Sequence, residues 1–453
     1  MSNDLSGRQL NPFGRYACFL KAIYIHSDSN LKYHLFEEEN VMKKKLLSLV
    51  LSTAMIAALL AGCGSDAASS EAPAETTEAA EGAADTAEAP AAEAAPAGEE
   101  DKVIKIGVVA PMTGGKAVYG EGAQNAIDMA VEEINAAGGE YTVEIVNGGK
   151  AADDGGDAKQ AVNAYNSLIP YSPEAVVGSF FSSVTLPMTE LANESGMLLL
   201  ATGATNYTVT IDKPTVFRDC FIDPYQGKMA AQFAVDQSVS KAAIIYAKDD
   251  DYSNGLKDAF IENAEAAGIE IVYTGECTTT DTDFTAQASQ AVASGADFVF
   301  YPCFLDTVPL FVQQVRDAGF TGIIMGGDGW DGSDTTGLET YFENCYFTNH
   351  YSSEDTAPEV QAFVSKYTEK YGTETLSACS ALYYDAIYML VQAAENGGGS
   401  DTASLVKGMT GMTFTGVGGT FTLDDNGDPE KCCVINTYEN GTVKWFKTLS
   451  PDA

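Results

Sequence analysis

The sequence predicts an α/β protein built from two doubly wound, Rossmann-like lobes. From residue 102 onward, short apolar runs alternate with amphipathic helical segments, and this alternation indicates βαβ units with parallel sheets. The alternation occurs in two series, separated by a break at 218–227. The stretch from Lys102 to Ala453 is also long enough for two domains of ordinary size.

The first series begins at the apolar run 103–110 and ends at the apolar run 197–201. Runs of this length between turn residues predict buried strands, and the segments between them have helical spacing. The predicted strands lie at 103–110, 141–147, 175–178 and 197–201, and the predicted helices lie at 120–137, 158–168 and 186–195.

The second series has the same form and leads into late helices and a strand-rich tail. The tail, 414–445, carries hairpin signals at Asn426-Gly427 and Asn440-Gly441. The predicted strands lie at 242–247, 269–273, 298–301 and 322–325, and the predicted helices lie at 255–267, 286–294, 308–318, 360–371 and 376–396.

We expect the chain to cross between the lobes three times, near Arg218, His350 and Thr420, which makes a three-segment hinge. Ligands of doubly wound sheets bind outside the carboxyl ends of the strands, so two such lobes predict a binding cleft between them. The expected first lobe is 102–219 plus 349–419, and the expected second lobe is 220–348 plus 420–453.

An export signal begins at Met42 and not at the start of the chain. Three lysines, 43–45, precede an apolar run, 46–60, which is shorter than the about 20 residues of a membrane-spanning helix and fits a signal peptide over 42–62. The sequence Leu60-Ala-Gly-Cys63 resembles the lipobox of bacterial lipoproteins, in which the cysteine is lipidated. We therefore expect an exported protein anchored by Cys63 to the outer face of the cytoplasmic membrane.

The segments on either side of this signal have different interpretations. Residues 64–101 contain 11 acidic and no basic residues, so 63–101 is predicted to be the lipidated cysteine and a disordered acidic linker. Residues 1–41 end in a glutamate run, Glu37–Glu39, that can be a ribosome-binding site read as protein. We interpret 1–41 as an extension that precedes the true start; a translated, disordered extension is the alternative.

Charge and cysteine content exclude several functions. The net charge of -39 excludes nucleic acid binding, which requires basic surfaces, and adhesion to anionic lipid. Apart from Cys18 and Cys63 the chain has seven cysteines, an odd number that cannot all pair, and no C-x-x-C pair. We expect most to be buried free thiols; Cys432 and Cys433 are expected on a strand, with a metal or redox role as the alternative.

Two loops after predicted strands of the first series carry small hydroxyl residues. After 175–178, Ser182 or Ser183 stands where a helix N-cap belongs, and a helix start favours a carboxylate. After 197–201, Gly203 permits a close backbone approach and Thr205 can donate and accept a hydrogen bond. Ordinary capping and a plain turn are the alternatives at each loop taken alone.

The segment Met325–Gly332 matches the glycine spacing of a dinucleotide-binding loop. Its acids, Asp328 and Asp331, would repel a pyrophosphate, so we reject that interpretation. A carboxylate in a glycine turn beside Trp330 suits a cation, and we expect Asp328 to bind an ammonium; a solvated turn aspartate is the alternative. Asp331 is expected to point elsewhere and to contribute much less.

Taken together, these stretches resemble the leucine/isoleucine/valine-binding proteins that serve ABC importers, which have the type I periplasmic-binding fold. The resemblance covers Lys102 to Trp445. The stretches that carry it, besides the serine and threonine loops, are Ile106–Gly114, Tyr119–Gly122, Tyr252–Leu256, Gly326–Trp330 and Phe421–Asp428.

The resemblance implies a role for individual residues. Ser182 would bind the α-carboxylate of an amino acid, with the Gly203 carbonyl and the Thr205 hydroxyl on the α-ammonium. Tyr252 and Asp328 would come from the other lobe. The remaining predicted binding residues are Ser183, Tyr119, Phe180, Phe304 and Trp330.

This chain departs from the leucine binder of the family at three positions. Asp328 stands where that protein has glutamate, Phe304 where it has tyrosine, and Phe181 where it has a disulfide cysteine. Recognition of the amino acid backbone survives these changes, and the side-chain preference stays open.

The function implied by the resemblance is capture of a branched-chain or similar amino acid and its delivery to an ABC permease and ATPase, without a cofactor or a bound metal. The same fold could instead bind an amide, urea or peptide, or act as a sensor. A hydrolase is the contrasting class; after residue 41 the chain has one histidine, His350, and no G-x-S-x-G elbow, so nothing indicates an enzyme.

Overall fold

The computed structural model describes residues 102–450. The extension 1–41, the signal peptide 42–62, the lipidation site Cys63 and the linker 63–101 lie outside the described residues and stay predictions. Within 102–450, none of the helices combines the length and the apolar composition that crossing a membrane requires.

The first lobe is built on a sheet of six strands in the order β2-β1-β4-β5-β6, with β3 paired to the end of β1. All its pairings are parallel, and the apolar side chains of the central strands are buried, as expected of a sheet covered on both faces. The strands are β1 (Val103–Ala110), β2 (Thr142–Ile145), β3 (Ala152–Asp153), β4 (Ala175–Val177), β5 (Leu198–Ala201) and β6 (Val216–Arg218).

Helices cover this sheet in two groups. Three follow strands of the sheet: α1 (Ala117–Ala137), α2 (Ala158–Leu168) and α3 (Ser182–Ser195). Later in the chain, α8 (Pro358–Tyr371), α9 (Ala378–Gly397) and α10 (Thr402–Met409) return to the first lobe, where α9 packs on α1 and α10 packs on α9.

The second lobe has a seven-stranded sheet in the order β16-β15-β11-β10-β9-β7-β8. Its first five strands in the chain pair in parallel, and the last two close one edge antiparallel. The strands are β7 (Lys241–Ala247), β8 (Glu270–Cys277), β9 (Phe298–Phe300), β10 (Ile323–Gly326), β11 (Cys345–Asn349), β15 (Cys433–Glu439) and β16 (Thr442–Leu449). The helices are α4 (Asp223–Asp236), α5 (Asp251–Ala266), α6 (Thr285–Ala293) and α7 (Val308–Asp317).

The third crossing was predicted near Thr420, but a small antiparallel sheet occupies that part of the chain. It consists of β12 (Thr413–Gly416), β13 (Gly419–Leu423) and β14 (Pro429–Glu430). It belongs to the first lobe, because Val417 N–H and Gly418 N–H donate to Asp385 of α9, and Arg218 N–H donates to the Gly427 carbonyl. The chain therefore enters the second sheet at Cys433, and the crossing lies just before it and not at Thr420.

The architecture confirms the predicted fold class. It consists of two α/β lobes, each built on a mainly parallel sheet, joined by three crossings of the chain. The first crossing lies between β6 and α4, and the second follows β11 at His350. The seven cysteines of the described residues are free; Cys432 is exposed and the other six are buried. The six buried cysteines act as small core side chains, as expected for most of the seven.

Candidate functional site

The predicted binding residues follow the carboxyl ends of strands in both sheets. Tyr119 follows β1, Ser182 follows β4, and Thr205 follows β5. In the second lobe, Tyr252 follows β7 and Asp328 follows β10. All five side chains are buried, and hydrogen bonds from the loops of one lobe reach those of the other.

Ser182 is the first residue of α3, which starts earlier than the predicted 186 and contains Pro187 internally. Its N-cap residue, Phe181, is extended and has no side-chain oxygen, so no side chain caps the first N–H groups of the helix. The Ser182 hydroxyl accepts a hydrogen bond from Asn206 N–H at 3.0 Å, which ties the start of α3 to the Thr205 loop. The two loops therefore form one corner, with the positive end of the α3 dipole facing it.

Thr205 and Asp223 are buried next to each other. The Asp223 N–H donates to the Thr205 carbonyl at 2.8 Å, yet the Thr205 hydroxyl and both carboxylate oxygens of Asp223 have no hydrogen-bond partner. Burial raises the pKa of Asp223 well above its usual range, and the interaction with the Thr205 hydroxyl opposes this shift. Sequence reasoning did not identify Asp223, the acid that opens α4.

Asp328 is held by two side chains that sequence reasoning also did not place in the site. Gln226 Nε2 donates to one carboxylate oxygen at 2.7 Å, and His350 Nε2 lies 3.2 Å from the other. Burial lowers the pKa of His350, against the opposing effect of Asp328, and this favours the neutral ring. Each carboxylate oxygen has a second lone pair, so Asp328 can still accept from an ammonium.

These contacts leave further polar atoms free inside the protein. With its proton on Nε2 toward Asp328, the neutral ring of His350 has a bare Nδ1, which is buried without a partner. The Oε1 atom of Gln226 is likewise unpartnered. A signal for His350 was visible in the sequence, because it is the one histidine after residue 41 and lies at a predicted crossing between the lobes.

The two predicted aromatic residues near Asp328 have different surroundings. The Tyr252 hydroxyl accepts from Gly329 N–H at 3.3 Å, so it touches the Asp328 turn. Trp330 is fully buried in the core of the second lobe, where its Nε1 donates to the Tyr301 carbonyl at 2.9 Å. This position gives Trp330 a packing role and does not support the prediction that it contacts a ligand.

Aromatic rings from both lobes meet at the other end of the site. Phe180 lies 4.9 Å from Tyr119 and 5.6 Å from Phe181, measured between ring centroids. Phe304 of the second lobe lies 4.8 Å from Phe181 and 4.8 Å from Tyr252. The resulting aromatic wall is buried and closes the apolar end of the site.

The predicted close approach at Gly203 is made by one of these rings. Gly203 has φ of +83°, and a Cβ atom there would lie 2.4 Å from the Phe180 ring. A side chain at this position would therefore displace the aromatic wall and strain the backbone.

Contacts across the cleft show the lobes in a closed arrangement. The Ser183 hydroxyl donates to Asp250 Oδ1 and accepts from Asp251 N–H, both at 2.7 Å, so this predicted binding residue joins the lobes directly. The Tyr119 hydroxyl donates to the Asp331 carbonyl.

Asp331 also crosses the cleft through its carboxylate, which accepts from the Ala378 N–H at the start of α9 at 2.6 Å. The Asp331 side chain is therefore buried and holds a helix of the other lobe, and the expectation that it contributes much less than Asp328 to ligand binding stays a prediction.

The sequence and the fold are similar to those of known binding proteins. A family model described as periplasmic binding protein matches residues 103–442. A Leu/Ile/Val-binding protein homolog of Brucella melitensis is 28% identical over 329 residues, covering 72% of this chain and 88% of the relative.

Solved structures share the architecture. The leucine binding protein LivK of Thermotoga maritima superposes with a TM-score of 0.72 at 31% identity, covering 77% of this chain and 99% of that one. The branched-chain amino acid transporter substrate binding protein LivJ of Streptococcus pneumoniae, in complex with isoleucine, gives 0.69 at 27% identity, covering 77% and 100%. A solute binding protein of Rhodopseudomonas palustris in complex with 4-hydroxybenzoate gives 0.70 at 21% identity, covering 77% and 97%, and shows the fold alone.

Proposed function

The chain belongs to the periplasmic binding protein family, and on that premise we propose that it captures an α-amino acid between its two lobes and delivers it to an ABC importer. One observation carries the proposal: polar atoms with no partner are buried at the strand ends of both lobes, on Thr205, Asp223, Gln226 and His350. Leaving such a group unpaired costs about 1–3 kcal/mol. A zwitterion, which has both acceptors and donors, can satisfy groups of this kind.

The two charges of an amino acid have separate partners in this proposal. The carboxylate binds at the start of α3, where Ser182 contributes its hydroxyl and its backbone N–H next to the positive end of the helix dipole. The ammonium binds to Asp328, the Gly203 carbonyl and the Thr205 hydroxyl. Gln226 and His350 support this by holding the Asp328 carboxylate in one orientation.

The side chain of the ligand points to the aromatic wall. Tyr119, Phe180 and Phe304 present apolar ring surface there, which favours an apolar side chain. A branched-chain or similar amino acid therefore fits best. The leucine and isoleucine binders among the similar structures support this choice.

Export and delivery complete the proposal. The signal peptide 42–62 and lipidated Cys63 would keep the protein at the outer face of the membrane, tethered by the acidic linker. An ABC permease and its ATPase would receive the ligand, which would leave the protein chemically unchanged.

A screen of the twenty amino acids by thermal shift tests the ligand class. We expect one or a few apolar amino acids to raise the unfolding temperature, since a ligand present at 100 times its dissociation constant stabilises a protein by about 2.7 kcal/mol. Calorimetry then gives the affinity, and mass spectrometry shows whether the ligand is recovered intact. The proposal fails if no amino acid shifts the transition while an amide, urea, a peptide or an aromatic carboxylate does.

Ligand binding should also favour the closed arrangement of the lobes. The contacts of Ser183 with Asp250 and Asp251 form only when the lobes meet. We expect the radius of gyration, measured by small-angle scattering, to fall when the ligand found in the screen is added. An amino acid that gave no thermal shift is the control; equal radii with both compounds would contradict closure on binding.

A further inference from the structure

Asp223 is a buried carboxylate that the proposed binding scheme does not use. Its side chain is fully buried at the first residue of α4, and neither oxygen has a hydrogen-bond partner. A buried carboxylate is stable only when it is paired or hydrogen-bonded, or when it takes up a proton. Arg218, whose charge acts on Asp223, is paired instead with Asp428 through Nε at 2.6 Å. Asp223 therefore lacks the partner that its burial requires.

The Thr205 hydroxyl next to it has a matching requirement. An ammonium only donates hydrogen bonds, so Thr205 must present an oxygen lone pair to it and direct its own proton elsewhere. The backbone bond from Asp223 N–H to the Thr205 carbonyl keeps the two residues together, and the Thr205 hydroxyl has no other partner. The Asp223 carboxylate is the acceptor available for that proton.

The first turn of α4 also holds Asp328, the second acid of the site. Gln226 lies on this turn and donates to Asp328 at 2.7 Å and to the Thr348 hydroxyl at 2.9 Å. One helical turn thus connects directly to Asp328 and, through Asp223, to Thr205. Asp328 and Thr205 are the side chains proposed to bind the ammonium from the two lobes.

We propose that Asp223 is a positioning residue for ammonium recognition: it accepts the Thr205 proton, so that the Thr205 oxygen accepts from the ligand. The inference rests on the proposed function and specifies it further, because the site then favours a ligand group that only donates hydrogen bonds, as an ammonium does. A hydroxyl in place of the ammonium both donates and accepts, so a hydroxy acid can pair with Thr205 in either orientation and depends little on Asp223.

The test compares L-leucine, or another amino acid that the screen shows to bind, with its 2-hydroxy acid analogue by calorimetry. Wild type should prefer the amino acid strongly, and Asp223→Asn should reduce that preference by about 10- to 100-fold, the range expected for a hydrogen bond to a charged group. Binding of the hydroxy acid should change little. Asp212→Asn removes the same charge from an exposed residue of the first lobe and should leave both affinities unchanged.

Two Thr205 variants separate positioning from a purely structural role. Thr205→Val should lose the same selectivity as Asp223→Asn, and the double variant should lose no more, because both act through one hydroxyl. Thr205→Ser keeps the hydroxyl and should restore the preference for the amino acid. If Asp223→Asn does not fold, the Thr205 pair carries the test.

Three results would overturn the inference. Asp223→Asn could weaken the amino acid and the hydroxy acid equally, the Asp223 and Thr205 effects could add, or Thr205→Val could keep its selectivity. If the wild-type protein binds no amino acid, the proposed function itself fails. This inference then fails with it, before any variant is compared.

Discussion

We expect Asp328→Ala to weaken amino acid binding by roughly 30-fold to several thousand-fold, which corresponds to about 2–5 kcal/mol. The site must neutralise an ammonium after water is expelled, and Asp328 is the buried acid predicted to face it from the second lobe. Removing it leaves the ligand charge unpaired. It also leaves Gln226 and His350 without the acceptor that they now share.

The structure also determines which control is suitable for this experiment. Asp331 lies on the same turn, but its carboxylate holds Ala378 at the start of α9, so replacing it would disturb the contact between the lobes. Asp334 is an exposed acid a short way along the same segment, where it accepts from Thr336 N–H. Asp334→Ala should therefore bind the ligand as wild type does.

Calorimetry on both variants, with circular dichroism to verify folding, gives the answer. Near-native affinity in Asp328→Ala would mean that the ligand is not an α-amino acid. An amide or another neutral solute would then be the better assignment for the cleft.

The largest loss of stability is expected from Arg218→Met. The Arg218 side chain is fully buried, its Nε lies 2.6 Å from Asp428 Oδ1, and its NH1 donates to the Ala204 carbonyl at 2.8 Å. Removing one partner of a buried ion pair typically costs about 3–5 kcal/mol, because the other charge is left without compensation. Asp428 would be the uncompensated charge, and the Thr205 loop would lose the hydrogen bond that Arg218 donates to the Ala204 carbonyl.

Urea unfolding of the ligand-free protein measures this loss. Lys241→Ala serves as the control, since Lys241 forms an ion pair with Glu270 at 3.9 Å on the surface, where both side chains are about half exposed or more. Such surface pairs contribute about 0–1 kcal/mol. A surface ion pair contributes at most about 1 kcal/mol. If Arg218→Met lowers the free energy of unfolding by no more than this, the buried pair has no structural role.

Local patterns predicted the regular elements well where an apolar run or a helical period is long. The predicted strand 103–110 and helix 158–168 coincide with β1 and α2. The helix α4 was missed, because Pro224 and Gly227 interrupt its helical signal and most of its residues are buried, which removes the amphipathic period. The short strands β3 and β6 were missed because a few residues carry no measurable period.

The sequence by itself determined the alternation of strands and helices, and hence two parallel lobes with loops gathered at their strand ends, because these features depend on neighbours within a few residues. Only the tertiary structure decided which side chains face each other there. Asp328 meets Gln226 and His350, and Asp223 meets Thr205, although other elements separate each pair along the chain. Hydrogen bonding and charge burial depend on distance in space, and the sheet order and the crossings between the lobes set that distance.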